Sequence, residues 1–302
     1  MKIEDIGEFG LIEYLKRKFS LSGKWIGIGD DCCFIPPDIV LTSDMMVEGV
    51  HFDLKYLTPE DVGCRATTAC LSDLAAVGAR PVGFMLSLGI KPDLDYSFFK
   101  AIFNGVAGAL QEAGVRLLGG DLSRSSKLIL SGFAIGRTRR PVLRSGASPG
   151  DYIYLTGYTG LAEAGRIVLK RGVSLKRYRE SVKRHRRPYP QVKLGQKLKR
   201  VASSMIDVSD GLLLDLSHLA EESQVGISIH HLPIHPELIR LEQEFGIRAE
   251  TLALSGGEDF ELIFTSKKRL RKFWRIGEVI SEEGIWFQGR RIRPRGYEHF
   301  RR

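Results

Sequence analysis

Apolar positions along the chain switch repeatedly between a period of two and one of three to four, which predicts strands alternating with helices throughout. In the opening segment Ile12, Leu15 and Phe19 share one helical stripe. IVLTSD (39–44) reads as a short buried strand that ends in polar residues. Thr58, followed by Pro59, Glu60 and Asp61, combines a hydroxyl cap, a first-position proline and first-turn acids, and predicts a helix running to Val77 and stopping at Gly78. VGFMLSLGI (82–90) predicts a strand and Asp95 to Ala113 a helix, and VRLLGGD and LILSGFAIG predict two further strands.

The stretch RTRRPVLRSGASPGD (137–151) keeps no period and is rich in Arg, Gly, Ser and Pro. It divides the chain into an N-terminal α+β unit over 1–138 and a C-terminal α+β unit over 149–302. The second unit opens on the strand YIYLTG and continues through a helix near 160–171, a basic helical stretch to 200 and MIDVSDG. A helix over 212–222, the strand GISIHH, a helix near 236–246 and the strand ELIFT (261–265) follow.

The informative chemistry is a recurring join of a short apolar strand to a turn of aspartate, glycine and small hydroxyl residues. It occurs in GIGDD (27–31), LTSD (41–44), LLGGD (117–121), IDVSDG (206–211) and LSGGEDFEL (254–262), and CLSDLAAVGA (70–79) places one more acid in a helix of small residues. The aspartates singled out are Asp30, Asp31, Asp44, Asp73, Asp121, Asp207 and Asp210. Any one such turn is ordinary. Gathered together, these carboxylates would repel one another unless cations held them. Hard oxygen ligands without His or Cys point to Mg²⁺, and the glycines let backbone N–H groups approach phosphate oxygens. Metal-assisted phosphoryl transfer is the chemistry such parts serve. No standard phosphate-binding loop, dinucleotide fingerprint or protein-kinase catalytic loop is present.

Charge changes the picture less than its total suggests. The formal net charge of +9 comes from two blocks: 166–200 holds fourteen Lys/Arg against Glu180 alone, and 267–302 holds twelve against four acids, so the remainder carries −12. A uniformly basic nucleic-acid surface is disfavoured, and the blocks are expected as solvated helical and tail surface. The four cysteines, Cys32, Cys33, Cys64 and Cys70, lack metal-site spacing and are expected as thiols, mostly buried. With no apolar run of membrane-spanning length and no basic-then-apolar start, the chain is expected to be cytoplasmic.

The runs GEFGLI, GIGDD, TSDMMVEGVHF, LSDLAAVGARP, GGD, IDVSDGLLLDL and SGGEDFEL, in this order, resemble the thiamine-monophosphate kinase family, within the superfamily that includes aminoimidazole ribonucleotide synthetase. The resemblance extends from Gly7 to the closing GYEHF. It implies transfer of the γ-phosphoryl of ATP to thiamine monophosphate by direct in-line attack, with several Mg²⁺ ions and no phosphoenzyme. It implies metal ligation by Asp31, Thr42, Ser43, Asp44, Asp73, Asp121, Asp207 and Asp210. It also implies ATP contacts at Phe103, Gly120, Asp121, Arg144 and Ser209, and substrate contacts at His51, Glu258 and Tyr297. The fold it implies is a two-domain aminoimidazole ribonucleotide synthetase-like α+β fold. A four-stranded N-terminal sheet pairs across a homodimer into a β-barrel, and the C-terminal domain closes over the nucleotide.

This chain departs from the family pattern in Cys32, Cys33 and Phe34 after the paired aspartates, in Ser43 for threonine, in Leu122 and Ser123 after GGD, and in Phe103 for tyrosine. None of these removes a carboxylate. Taken alone, His51 also reads as a half-buried strand histidine, Glu258 as a turn cap and Tyr297 as packing for the tail. Two other functions stay open at this stage: a superfamily enzyme with a different phosphate, amidine or selenide acceptor, and a nucleic-acid-binding protein using the 166–200 block.

Overall fold

The computed structural model describes residues 2–300. Helix α1 (Ile3–Lys18) is broken at Gly7, whose φ of 71° lies outside helical space. Strands β1 (Cys33–Ile35) and β2 (Ile39–Val47) form a hairpin, followed by α2 (Pro59–Ala76), β3 (Arg80–Ile90), α3 (Tyr96–Ala113), β4 (Arg116–Arg124) and β5 (Ile129–Arg137). α2 starts as its sequence dictates: Thr58 accepts from the Asp61 N–H, and the Asp61 carboxylate accepts from the Thr58 N–H. α3 ends on Gly114 in the left-handed conformation.

The first sheet has the order β1-β2-β5-β3-β4, with β3 and β4 parallel and its other pairs antiparallel. Five strands stand where four were expected, because the short β1 extends the β2 edge. One face packs on α2 and α3 through Val40, Phe84, Leu86, Leu88, Leu130 and Ala134, all buried. On the other face Met45, Met85 and Phe133 remain exposed, and β4 is exposed along its whole length.

The chain continues through β6 (Tyr152–Leu155), α4 (Leu161–Arg171), a 3₁₀ turn (Leu175–Tyr178), α5 (Arg179–Arg186), α6 (Val192–Leu198), β7 (Ser204–Asp207), α7 (Leu212–Ser223) and β8 (Gly226–Ile229). It ends with α8 (Pro236–Phe245), α9 (Ala249–Ser255), β9 (Leu262–Ser266), β10 (Trp274–Ile280), β11 (Gly284–Phe287) and β12 (Arg290–Ile292). The second sheet has the order β12-β11-β8-β10-β6-β9-β7. The segment between the sheets is packed, with Val142 and Ala147 buried and the Val142 N–H bonded to the Val77 carbonyl. One apolar cluster runs from Val40, Leu71 and Leu130 to Val168, Leu241 and Phe264, joining both halves.

Two sequence expectations change. The stripe Ile12, Leu15 and Phe19 is not buried: Gly7 is the buried residue of α1, and Leu15 and Phe19 face solvent. The 267–302 block contains β10, β11 and β12, in which Ile276, Val279 and Ile285 turn inward while the basic residues turn out. The 166–200 block is helical surface as expected, with most of its Lys and Arg side chains exposed and a few paired. Arg184 bonds Glu261 at 2.7 Å, Arg187 reaches Glu60 at 2.8 Å and Asp61 at 3.0 Å, and His185 is buried against Arg65. All four cysteines are free thiols, three of them buried. Among the described residues no helix is long and apolar enough to cross a membrane.

Candidate active site

Two strand ends and one helix converge at the seam between the two halves. Asp31 precedes β1, Asp73 lies on α2 and Asp207 ends β7, and each offers a carboxylate oxygen within 4.8 Å of the others. Asp73 Oδ2 accepts from Thr42 Oγ1 at 2.5 Å, and Asp207 Oδ2 accepts from Ser72 Oγ at 2.5 Å. Asp31 Oδ1 accepts from Arg144 at 2.8 Å, while its Oδ2 is buried with no hydrogen-bond partner. Arg144 also bonds Asp30 through its backbone N–H, at 3.1 Å. A single guanidinium therefore faces three clustered carboxylates and Asp30.

The electrostatics follow from that imbalance. Burial, then Asp31, pushes the Asp207 carboxyl up to about 8, and burial with Asp207, Asp44 and Asp31 holds Asp73 well above the ordinary carboxylate range. Asp30 is raised to about 7 by burial and then by Asp31. Asp210, in the turn after β7, is raised to about 7 by burial, with Glu8, Asp44 and Glu258 adding to it. At Arg144 burial opposes the charge, but Asp31 and Asp30 outweigh it and move the guanidinium pKa upward. An orphaned buried oxygen beside mutually repelling acids is a donor set that a hard cation would complete.

Beside this cluster lies a second group. His51 Nδ1 accepts from the Val47 N–H at 3.0 Å, and its Nε2 lies 3.3 Å from His299 Nε2. Glu258 has a φ of 64°, its N–H bonds the Ser209 carbonyl, and its carboxylate pairs with Arg65 at 2.5 Å. Arg65 is fully buried and also donates to the His51 carbonyl at 3.4 Å and the His185 carbonyl at 2.6 Å. The Tyr297 ring lies 6.5 Å from that of His51. A carboxylate and aromatic faces grouped in this way suit a cationic ring.

The remaining residues fall elsewhere. Thr42 and Asp44 alternate with Ser43 along β2, and Ser43 pairs with the exposed Phe133, so its side chain faces away from the cluster. Asp121 shares a cross-strand row with Ser87, Ser131 and Met45, on the face opposite Asp44 and about 14 Å away across three inter-strand spacings. At Gly120 a Cβ would collide with the Leu86 carbonyl oxygen, so this position requires glycine. Phe103 lines an apolar groove of about 350 Å³ with Val106, Leu110, Val115 and Leu117, next to β4. Within one chain Phe103, Gly120 and Asp121 are thus separated from Arg144 and Ser209.

Several site residues escaped the sequence reading. Asp215 is buried on α7 and accepts from the Gly211 N–H at 3.0 Å, bracing the turn that carries Ser209 and Asp210. It lies inside the run IDVSDGLLLDL, one helical turn beyond the glycine, and that spacing could have marked it. Arg65 is the single cation between Asp61 and Asp73 of a small-residue helix, which was its available signal.

Comparison with known proteins agrees with this architecture. Residues 29–138 match the family model described as AIR synthase related protein, N-terminal domain, which sets the class. Thiamine-monophosphate kinase of Aquifex aeolicus is 34% identical over 311 residues, covering 99% of this chain and 100% of that protein. The thiamine-monophosphate kinase of Escherichia coli K12 is 36% identical over 327 residues, covering 97% and 98%. A solved structure described as AaThiL complexed with AMPPCP and TMP superposes with a TM-score of 0.92 at 34% identity, covering 99% of each chain. The chain belongs to the thiamine-monophosphate kinase family.

Proposed function

We propose that the protein transfers the γ-phosphoryl group of ATP to thiamine monophosphate, giving thiamine diphosphate and ADP. The observation that carries this reading is the pair of adjoining subsites: repelling carboxylates with an orphaned oxygen on one side, and the His51–Glu258–Tyr297 pocket on the other. The complex of AaThiL with AMPPCP and TMP supports both co-substrates. An acceptor phosphate oxygen forms the new bond to Pγ as the bond from Pγ to the β–γ bridging oxygen breaks, and ADP carries that electron pair away.

Asp31, Asp73 and Asp207, with Thr42, Asp44 and Asp210 at the rim, would hold Mg²⁺. When bound, the metal neutralises the charge that otherwise keeps two phosphate-bearing molecules apart. Arg144, fixed by Asp31 and Asp30, presents a guanidinium to phosphate oxygens, and Ser209 adds polar groups of its turn. Glu258 faces the thiazolium charge, and the rings of His51 and Tyr297 flank it. No general base is required, because a phosphate oxygen is already an anion. Ser43 would contribute through its backbone.

The homodimer gives Phe103, Gly120 and Asp121 a place. Met45, Met85 and Phe133 leave one face of the first sheet apolar and exposed, and β4 is an unpaired edge. Two such sheets closed into a barrel would set each β4 edge against the β1–β2 edge of the other copy. Asp121 and the Phe103 groove would then serve the site of the neighbouring chain, with the groove receiving adenine. The C-terminal unit, 149–302, closes over the nucleotide.

The test is purified protein with ATP, Mg²⁺ and thiamine monophosphate, assayed for thiamine diphosphate, with other phosphate, amidine and selenide acceptors in parallel. Thiamine diphosphate should form, and Asp44→Ala should abolish it. ADP release with another acceptor but not with thiamine monophosphate would overturn the reading.

A further inference from the structure

The GEFGLI run contributes no residue to either subsite, yet it stands beside the acceptor pocket. Gly7 breaks α1, and the break brings Glu8 to the C-terminal segment, where its Oε2 accepts from the backbone N–H of His299 at 2.7 Å. Phe9 fixes the other side of the break by packing on the His218 ring of α7 at 5.0 Å.

The tail is held at a second point two residues earlier. The Tyr297 N–H donates to the Asp210 carbonyl at 2.9 Å. This bond is possible because Gly296 passes so close to α7 that a Cβ would sit 2.6 Å from that carbonyl oxygen and 2.7 Å from Leu214 Cβ. Between the two anchors the rings of Tyr297 and His299 meet edge to face at 4.9 Å, and His299 meets His51 at 5.0 Å. The Val47 N–H occupies His51 Nδ1, so the neutral ring carries its proton on Nε2 and donates to His299 Nε2; His299 then carries its proton on Nδ1, 3.3 Å from Tyr297 Oη.

We propose that Glu8 is a positioning residue of the acceptor subsite: it pins the C-terminal strap 297–299 over His51 and so fixes the aromatic wall against which the cationic ring of the acceptor lies. This rests on the kinase reading above. It concerns acceptor binding, because the hydrogen bond of Glu8 reaches that subsite through the strap; its charge also acts on Asp210, and Glu8→Gln removes that charge while keeping the bond. Every hydrogen bond in the strap depends on the register set by two backbone N–H groups, and Glu8 holds one of them.

The test compares wild type, Glu8→Ala and Glu8→Gln by steady-state kinetics and by hydrogen exchange of the tail amides. Glutamine keeps an acceptor oxygen and alanine does not. Glu8→Ala should raise KM for thiamine monophosphate about tenfold and leave kcat and KM for ATP within about twofold, with Glu8→Gln returning most of the loss. The His299 amide should exchange faster in Glu8→Ala and near the wild-type rate in Glu8→Gln. An unchanged acceptor KM in Glu8→Ala, or a loss shared equally by kcat and both KM values, would overturn the proposal. If wild type forms no thiamine diphosphate, the kinase reading falls by itself; the exchange experiment still decides the clamp, and equal exchange in all three proteins refutes it.

Discussion

Two sets of buried acids lie within one molecule and have opposite surroundings. In SGGEDFEL, Asp259 accepts from the Gly160 and Ala162 N–H groups at the start of α4, at 2.5 and 2.8 Å, and Glu261 accepts from Arg184, Thr156 and Gln191. Burial still raises Asp259 to about 7, but Arg184 and the two N–H groups oppose that rise. Asp31, Asp73 and Asp207 have one guanidinium, two hydroxyls and an orphaned oxygen. A buried acid whose oxygens are all claimed is architecture, and one held against its neighbours with capacity to spare is a site for something else.

The largest effect should separate the two sets outright. Asp73→Asn keeps the shape and the Thr42 bond; it should lower kcat by on the order of 10³-fold or more while the protein stays folded. Asp259→Ala should do the reverse, destabilising by about 3 kcal/mol through the two N–H groups left without their acceptor and the lost attraction to Arg184, with kcat nearly unchanged in the fraction that remains folded. Urea denaturation and steady-state assays on both variants check this. If Asp259→Ala removed activity without loss of stability, the distinction would fail.

Next in size is a test across two chains. On the proposed homodimer, Asp73→Asn and Asp121→Asn proteins should each be inactive, but a heterodimer isolated through two different tags should keep about half of wild-type activity, since one of its two sites would hold both aspartates. A heterodimer as inactive as its parents would place Asp121 in the site of its own chain.

The sequence made the elements legible where local chemistry decides them. Thr58 with Pro59 and Asp61 began α2, Gly114 ended α3, and the strand at Ile39 lay where alternation predicted, though it extends to Val47. It was silent where burial is decided by distant partners. The stripe on α1 reads as amphipathic, yet only tertiary packing tells that Leu15 and Phe19 face solvent. β10 to β12 hid in a basic block because these strands are short, carry Arg275, Arg290 and Arg291, and turn few apolar side chains inward, among them Ile276, Val279 and Ile285. The aspartates were visible as a class, since strand-end turns signal themselves locally. That Asp31, Asp73 and Asp207 meet while Asp121 lies on the opposite face required the sheet register. Likewise Arg65 and Glu8 act through residues 193 and 291 positions away, a separation no local pattern encodes.

The smallest effect bears most directly on the central claim, that the cluster is held in repulsion for cations. A carboxyl whose folded pKa is raised stabilises while protonated, and this is lost as pH climbs from the unfolded value toward the folded one, about 8 for Asp207 and about 7 for Asp210. Buried His185 and His218 act in the opposite sense, but their effect is complete above the ordinary histidine value of 6.5, so the interval above that reads the carboxyls. Each proton so held changes stability by about 1.4 kcal/mol per pH unit. Metal-free wild type should therefore melt lower as pH rises from about 6.5 to about 8.5. The decisive measurement is thermal unfolding at the upper pH of wild type and Asp73→Asn, each with and without Mg²⁺. Without metal the variant should melt above wild type, and Mg²⁺ should raise wild type by several degrees while leaving the variant nearly still. A variant that melts below wild type without metal, with Mg²⁺ shifting both proteins alike, would contradict the account.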